Sequence, residues 1–158
     1  MKNLIIYATK TGYVTECVEK LSGMLKGEVD TINLAGRPPA VDPGRYDKIM
    51  IGGSIHAGKI QKVVKKFCAA HSSLLATKQL GLFFACLTPP EKAGQYFDDN
   101  FPPSLVVQAK AKGFLGGAVY YERLSPIERF IMKKISGTPE NFSRPNDAGI
   151  EEFARAMG

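Results

Sequence analysis

Short apolar runs rich in β-branched and aromatic residues alternate with segments of helical periodicity along the whole chain, and this alternation constrains the fold most. The runs predicted as strands are 3–8, 29–34, 46–53, 79–87 and 112–121. Helices are predicted at 14–26, from about 60 to 71, from the capping box at 88–91, from a second box at 125–128 to about 135, and at 147–157. Such alternation typically gives parallel strands, because each helix carries the chain back across the sheet. The sequence therefore predicts an α/β protein with a five-stranded parallel sheet and helices on both faces.

Composition narrows the class of protein. The 158 residues can bury a core, and no repeat or linker divides them, so we expect a single domain over 1–158. Three cysteines without a CxxC pair and only two histidines predict neither a metal site nor a disulfide framework. Without a signal-peptide pattern or a membrane-spanning apolar stretch, we expect a cytoplasmic protein. The formal net charge of +6 suits an anionic membrane, an anionic substrate or only a solvated surface, and we expect no nucleic-acid partner.

The loop after the first predicted strand, from Thr9 to Thr15, places three hydroxyl groups and a glycine just before a helix. Ligands of parallel sheets bind beyond the carboxyl ends of the strands, where helix N-termini attract anions. The loop matches neither GxxxxGKS/T nor GxGxxG, so the ATP and dinucleotide fingerprints are absent. A phosphate site and a plain helix start capped by Thr11 are both compatible with this pattern.

The same loop, Thr9-x-Thr11-Gly12-x-x-Thr15, resembles the phosphate loop of flavodoxins. Residues 46–47 followed by 49–54 resemble the third flavodoxin strand and the turn beside the flavin ring. The blocks that resemble the flavodoxin-type, menaquinone-dependent protoporphyrinogen oxidases are 52–59, 117–121 and 129–137. This resemblance implies a flavodoxin-like three-layer sandwich with strand order 2-1-3-4-5. It also implies an extra helical segment at about 122–145, which ordinary flavodoxins lack.

The resemblance further implies FMN as the cofactor. The residues implied at its phosphate are Thr9, Lys10, Thr11, Gly12, Tyr13, Val14 and Thr15. Those implied at its ring are Ser54, Ile55, His56, Ala57, Gly58, Cys86, Leu87 and Thr88. The chain has no tryptophan and the loop 86–90 has no aromatic residue, so His56 or Tyr13 is left to cover a ring face. A proton-handling role and an exposed loop position are equally compatible with His56.

The segment that begins at Ser125 predicts a basic amphipathic helix. Its apolar stripe contains Phe130, Ile131 and Ile135, with Arg129 and Lys133 beside it. Such a helix suits peripheral membrane contact through 125–136, cover over an apolar substrate that carries carboxylates, or simple packing on the domain.

Three functions follow from these observations. The resemblance implies an FMN-dependent oxidoreductase that passes electrons from a tetrapyrrole, protoporphyrinogen IX, to a quinone. The alternative is a flavodoxin-type electron carrier that docks to a redox partner protein, although such carriers are usually acidic and this chain is basic. A third alternative is a domain that has kept the fold and lost the cofactor.

Overall fold

The computed structural model describes residues 1–9, 11–87, 90–136 and 142–158. Its strands are β1 (Lys2–Ala8), β2 (Glu28–Asn33), β3 (Lys48–His56), β4 (Lys59–Ile60), β5 (Gln79–Ala85), β6 (Ala111–Phe114), β7 (Gly116–Val119) and β8 (Phe142–Pro145). Five of them pair in parallel in the order β2-β1-β3-β5-β6. The predicted sheet and its strand order are therefore confirmed, with β5 and β6 as the fourth and fifth strands.

Helices cover both faces of this sheet. They are α1 (Tyr13–Met24), α2 (Lys62–Ala70), α3 (Ser72–Leu75), α4 (Ala93–Asn100), α5 (Pro103–Gln108), α6 (Pro126–Ser136) and α7 (Asp147–Met157). Helices α1 and α7 pack against side chains such as Ile5, while α2 to α5 pack against the opposite side chains, such as Leu4 and Ile6. Successive residues of a strand point to opposite faces, so a strand covered on both sides must be apolar throughout. All three of these side chains are fully buried.

The predicted fifth strand is in fact two strands. Strand β6 ends at Phe114, and β7 leaves the main sheet to pair antiparallel with β8. The break lies at Leu115, and the next residue, Gly116, has a φ of 81°, a left-handed conformation that glycine adopts readily. Strand β8 comes from the segment after α6, so the structure places a small antiparallel pair beside the carboxyl edge of the sheet.

The two predicted capping boxes differ in outcome. At the second, the N–H of Ser125 donates to the Glu128 carboxylate and the N–H of Glu128 donates to the Ser125 hydroxyl, both at 3.3 Å, so the predicted start of α6 is confirmed. The first box falls partly on 88–89, outside the described residues. After it the structure has a 3-10 turn at Pro90–Lys92, and α4 begins only at Ala93.

No helix among the residues that the structure describes is both long and apolar enough to cross a bilayer.

Candidate functional site

A cavity of about 330 Å³ opens at the carboxyl edge of the parallel sheet. Its lining residues are Thr9, Thr11, Tyr13, Val14, Ser54, Ile55, His56, Ala57, Ala85, Cys86, Leu87, Gly117 and Ala118. They come from the loop after β1 and the first turn of α1, from the ends of β3 and β5 with the segments that follow them, and from strand β7. The three loops meet there because the carboxyl ends of neighbouring parallel strands share one edge.

The cavity brings together most of the residues predicted for cofactor binding. Three predicted residues, Gly12, Thr15 and Gly58, do not line it, and Lys10 and Thr88 lie outside the described residues. Sequence reasoning missed Ala85, Gly117 and Ala118 as lining residues. The last two lie in the block 117–121 that carries the family resemblance, and both are small residues near the end of a predicted strand.

The first loop turns into α1 through a glycine. Gly12 is the N-cap residue, with a φ of 101°, and its N–H donates to the Thr9 hydroxyl at 3.1 Å. The alternative in which Thr11 caps the helix is therefore wrong, because the left-handed conformation at the cap suits glycine. First-turn N–H groups of a helix have no acceptor within the helix, so this end of α1 offers donors to an anion beside Thr9 and Thr11.

The second wall of the cavity is a tight hairpin turn between β3 and β4. His56 pairs with Lys59, and the two residues between them, Ala57 and Gly58, have φ values of 52° and 79°. Positive φ at both central positions is typical of a type I′ turn, which matches the twist of the flanking strands. Ser54 to Ala57, at the end of β3 and the start of this turn, line the cavity.

Gln61, the residue before α2, holds the end of β3 in place. Its Oε1 accepts the N–H of Ser54 at 3.1 Å, and its Nε2 donates to the Ser54 hydroxyl oxygen. The backbone donor fixes the orientation of the amide, because only Oε1 can accept it. His56 Nε2 lies 3.1 Å from the same hydroxyl oxygen. Gln61 was missed because its role depends on the β3–β4 hairpin, which sequence reasoning did not predict.

The turn is braced from the other side by Asn100, the last residue of α4. Its Oδ1 accepts the N–H of Ile60 at 2.9 Å, and its Nδ2 donates to the carbonyls of Gly58 and Tyr96 at 3.1 and 2.9 Å. Asn100 is only 4% exposed, so these partners replace water for its amide group. The brace ties the predicted ring-side turn to a helix distant in sequence.

The family model of the flavodoxin domain matches residues 4–144 of the chain. The chain belongs to the flavodoxin domain family. No match was found among curated protein sequences.

Solved structures resemble this flavodoxin domain at low sequence identity. The flavodoxin of Streptococcus pneumoniae TIGR4 is 16% identical, covers 99% of this chain and 97% of its own, and has a TM-score of 0.58. Oxidised Flavodoxin 1 from Bacillus cereus is 18% identical over 99% and 95% of the two chains, also with a TM-score of 0.58. The flavoprotein of Lactobacillus acidophilus NCFM, in complex with FMN, is 16% identical over 73% and 91%, with a TM-score of 0.51. At such identities the likeness shows the flavodoxin fold.

Two aromatic side chains of this flavodoxin domain, Tyr13 and His56, line the described part of the cavity. The Tyr13 hydroxyl donates to the carbonyl of Leu115 at 2.7 Å, and the side chain is 8% exposed. Burial raises the pKa of Tyr13, which keeps the hydroxyl protonated. Tyr13 is thus fixed in the wall between α1 and β7, whereas His56 is exposed on the turn.

The thiols fall into two groups. Cys17 on α1 and Cys68 on α2 are buried, and burial raises their pKa to about 11 and about 12. Cys86 is partly exposed and lines the cavity directly after β5. The described residues contain no cluster of three or more potential metal ligands from histidine, cysteine, aspartate and glutamate.

Tyr120, which follows β7, forms a pH-dependent hydrogen bond to α1. Its hydroxyl donates to the Glu16 carboxylate, and burial together with this bond raises the pKa of Tyr120 from 10.0 to about 12. The folded state therefore favours the protonated phenol, and the stabilisation is complete below pH 10 and is lost as the pH rises towards 12.

We expect the stability advantage of the wild type over Tyr120→Phe to decrease between about pH 10 and pH 12, because the phenolate forms in the unfolded protein before it forms in the folded protein. Urea unfolding of both proteins at several pH values measures this difference. Tyr46→Phe, which removes the analogous bond to Asp30 on β2, is the matched comparison away from the cavity. A stability difference between the wild type and Tyr120→Phe that stays constant across this pH range would contradict the hydrogen bond between Tyr120 and Glu16.

Proposed function

We propose that this flavodoxin domain binds FMN in the cavity at the strand ends and acts as an FMN-dependent oxidoreductase. The observation that carries the proposal is the meeting of three strand-end loops around one cavity. Its volume of about 330 Å³ lies in the range of small-ligand sites. Support also comes from the family and from the FMN complex of the Lactobacillus acidophilus flavoprotein, which shares the fold.

The two ends of the cavity suit the two ends of FMN. At one end, Thr9 and Thr11 supply hydroxyl groups beside the N-terminus of α1, which suits a phosphate. At the other, Ser54–Ala57 and Cys86–Leu87 line the cavity together, which suits a flat ring. Bound FMN would supply the electron-transfer chemistry, while the protein positions it and controls access of water.

His56 is the residue best placed to hold a proton near the ring. Its Nε2 faces the Ser54 hydroxyl, whose oxygen already accepts a hydrogen bond from Gln61. A hydroxyl group has one donor and two acceptor positions, so Ser54 can donate to neutral His56 or accept from its protonated form. His56 can therefore gain or release a proton without losing this contact.

Replacing both Thr9 and Thr11 by alanine is expected to weaken FMN binding at least about tenfold, since hydrogen bonds to a charged group are the stronger kind. The affinity for riboflavin, which lacks the phosphate, should fall far less. Flavin fluorescence titration of the apoprotein measures both affinities. The visible spectrum of the purified protein shows whether a flavin is bound, and the mass of the released chromophore identifies it. Thr31→Ala, at an exposed position of β2, is the matched control. Equal loss for both flavins would contradict the phosphate assignment.

We further propose tetrapyrrole oxidation linked to a quinone as the reaction. Helix α6 supports this, because Ile127 and Phe130 are 74% and 61% exposed and leave an apolar stripe uncovered. Lys134 lies beside it, with its Nζ 4.6 Å from the centre of the Phe130 ring. An apolar substrate with carboxylates, or an anionic membrane that carries the quinone, would suit this surface. Turnover of protoporphyrinogen IX by FMN-loaded protein with a menaquinone analogue tests it, and absence of turnover overturns it.

The second candidate is an electron carrier without a substrate of its own. The overlap with two flavodoxins over 99% of this chain favours it. A redox titration separates the candidates. A long-lived one-electron state without turnover of small substrates would support the carrier.

A further inference from the structure

Arg123 reaches from the segment before α6 to the loop at the phosphate end of the cavity. Its Nη1 donates to the carbonyl oxygen of Thr11 at 2.6 Å. Thr11 lines the cavity, and the next residue, Gly12, begins α1. The guanidinium therefore lies at the same loop as the hydroxyls and helix N–H groups described above, although nothing in the local sequence pattern assigned it there.

Several contacts hold Arg123 in this position. Its guanidinium carbon lies 4.6 Å from the centre of the Tyr120 ring, in a cation–π arrangement. The Tyr120 hydroxyl is bonded to Glu16 in the first turn of α1. On the other side, Arg129 Nη2 donates to the carbonyl of Glu122 at 2.7 Å, which ties α6 to the turn that carries Arg123. The segment that carries Arg123 is thus tied to α1 through Tyr120 and to α6 through Arg129.

Gly12 leaves the space that the guanidinium occupies. A Cβ atom built on Gly12 would lie 2.6 Å from Arg123 Nη1. A side chain at this position would therefore displace the arginine from the loop. The glycine has two physical roles here, because it also adopts the positive φ of the helix cap.

We propose that Arg123 makes the cavity selective for a phosphorylated flavin. This inference rests on the proposed function. Its bond to the Thr11 carbonyl fixes the loop, and its charge attracts the phosphate, which is close to a dianion at neutral pH. Glu16 is the acidic residue in the first turn of α1, and its carboxylate accepts a hydrogen bond from the Tyr120 hydroxyl. Arg123 is a positioning residue for the cofactor and takes no part in electron transfer.

Three substitutions separate the charge from the hydrogen bond. Arg123→Met removes both, Arg123→Gln keeps an N–H donor without charge, and Arg123→Lys keeps the charge. We expect Arg123→Met and Arg123→Gln to weaken FMN binding at least about tenfold and riboflavin binding less than about threefold. Arg123→Lys should weaken FMN binding by an intermediate factor. Raising the salt concentration should weaken FMN binding to the wild type more than to Arg123→Met, because exposed charges are screened. Fluorescence titration of each apoprotein with both flavins gives these values.

Arg155→Met is the matched control, since Arg155 is an exposed cation on the last turn of α7, whose final residue, Met157, accepts a hydrogen bond from Lys48 at the end of β3 opposite the cavity. It should leave both affinities within about twofold of the wild type. Equal weakening of FMN and riboflavin by Arg123→Met would show a purely structural role and overturn the inference. Unchanged FMN affinity in all three variants would overturn it too. A wild type that binds neither flavin would instead overturn the proposed function.

Discussion

Replacing Asn100 by leucine is expected to lower the free energy of unfolding by about 3 kcal/mol, because buried polar groups would lose their partners. The N–H of Ile60 and the carbonyl of Gly58 both depend on this amide. Since these groups shape the turn at Ala57 and Gly58, FMN binding should weaken as well. Urea unfolding of the apoprotein and a flavin titration measure the two effects.

An aspartate at the same position gives a pH-dependent version of this experiment. In Asn100→Asp, one carboxylate oxygen can still accept from Ile60, but the other would face the carbonyls of Gly58 and Tyr96. The folded state should therefore raise the pKa of this carboxyl. The loss of stability caused by Asn100→Asp should then be small at acidic pH and grow as the pH rises through the folded pKa. Asn33→Leu, which removes only an exposed bond to Ala35, is the control and should cost less than about 1 kcal/mol. A similar loss of folding stability in Asn100→Leu and Asn33→Leu would contradict the role of Asn100 in holding the turn.

Replacing Gly117 by alanine is expected to weaken FMN binding at least about tenfold and to destabilise the protein by about 2 kcal/mol, as overpacking does. A Cβ at Gly117 would lie 2.5 Å from the carbonyl carbon and oxygen of Cys86 and 2.9 Å from the N of Leu87. These are backbone atoms that cannot rotate away. The cavity wall after β5 would have to move, and a flavin titration and thermal unfolding detect that movement.

Gly23→Ala is the matched control for Gly117→Ala. Gly23 lies inside α1, and a Cβ there would meet nothing within 4 Å. Alanine favours a helix over glycine, so this change should stabilise the protein by up to about 1 kcal/mol and leave flavin affinity unchanged. If Gly117→Ala bound FMN like the wild type, the contact between β7 and the Cys86 loop would not define the cavity.

The sequence predicted the sheet well because its signal is local. Strand β1 is apolar at consecutive positions, and only a strand covered on both faces needs that pattern. The start of α6 was equally readable, since both partners of its capping box, Ser125 and Glu128, lie in one turn. The cavity-lining loops were found for the same reason, as each directly follows a predicted strand.

The predictions that differed from the structure depended on distant partners. Residues 112–121 have a continuous strand pattern, but β7 pairs with β8, which comes from 142–145. By residue type Thr11 was a candidate cap of α1, whereas the fold places Gly12 there in a left-handed conformation. In both cases the tertiary environment outweighs the local preference.

The sequence by itself determined the order of strands and helices and the edge where their loops meet, because burial of apolar residues follows a short, regular period. Only the tertiary structure decided which polar side chains fix those loops. Gln61, Asn100 and Arg123 act on backbone groups of Ser54, Gly58 and Thr11. For Asn100 and Arg123 these partners lie far away in the chain. The direction and partner of a polar side chain depend on where the fold brings other segments, and no local pattern encodes that.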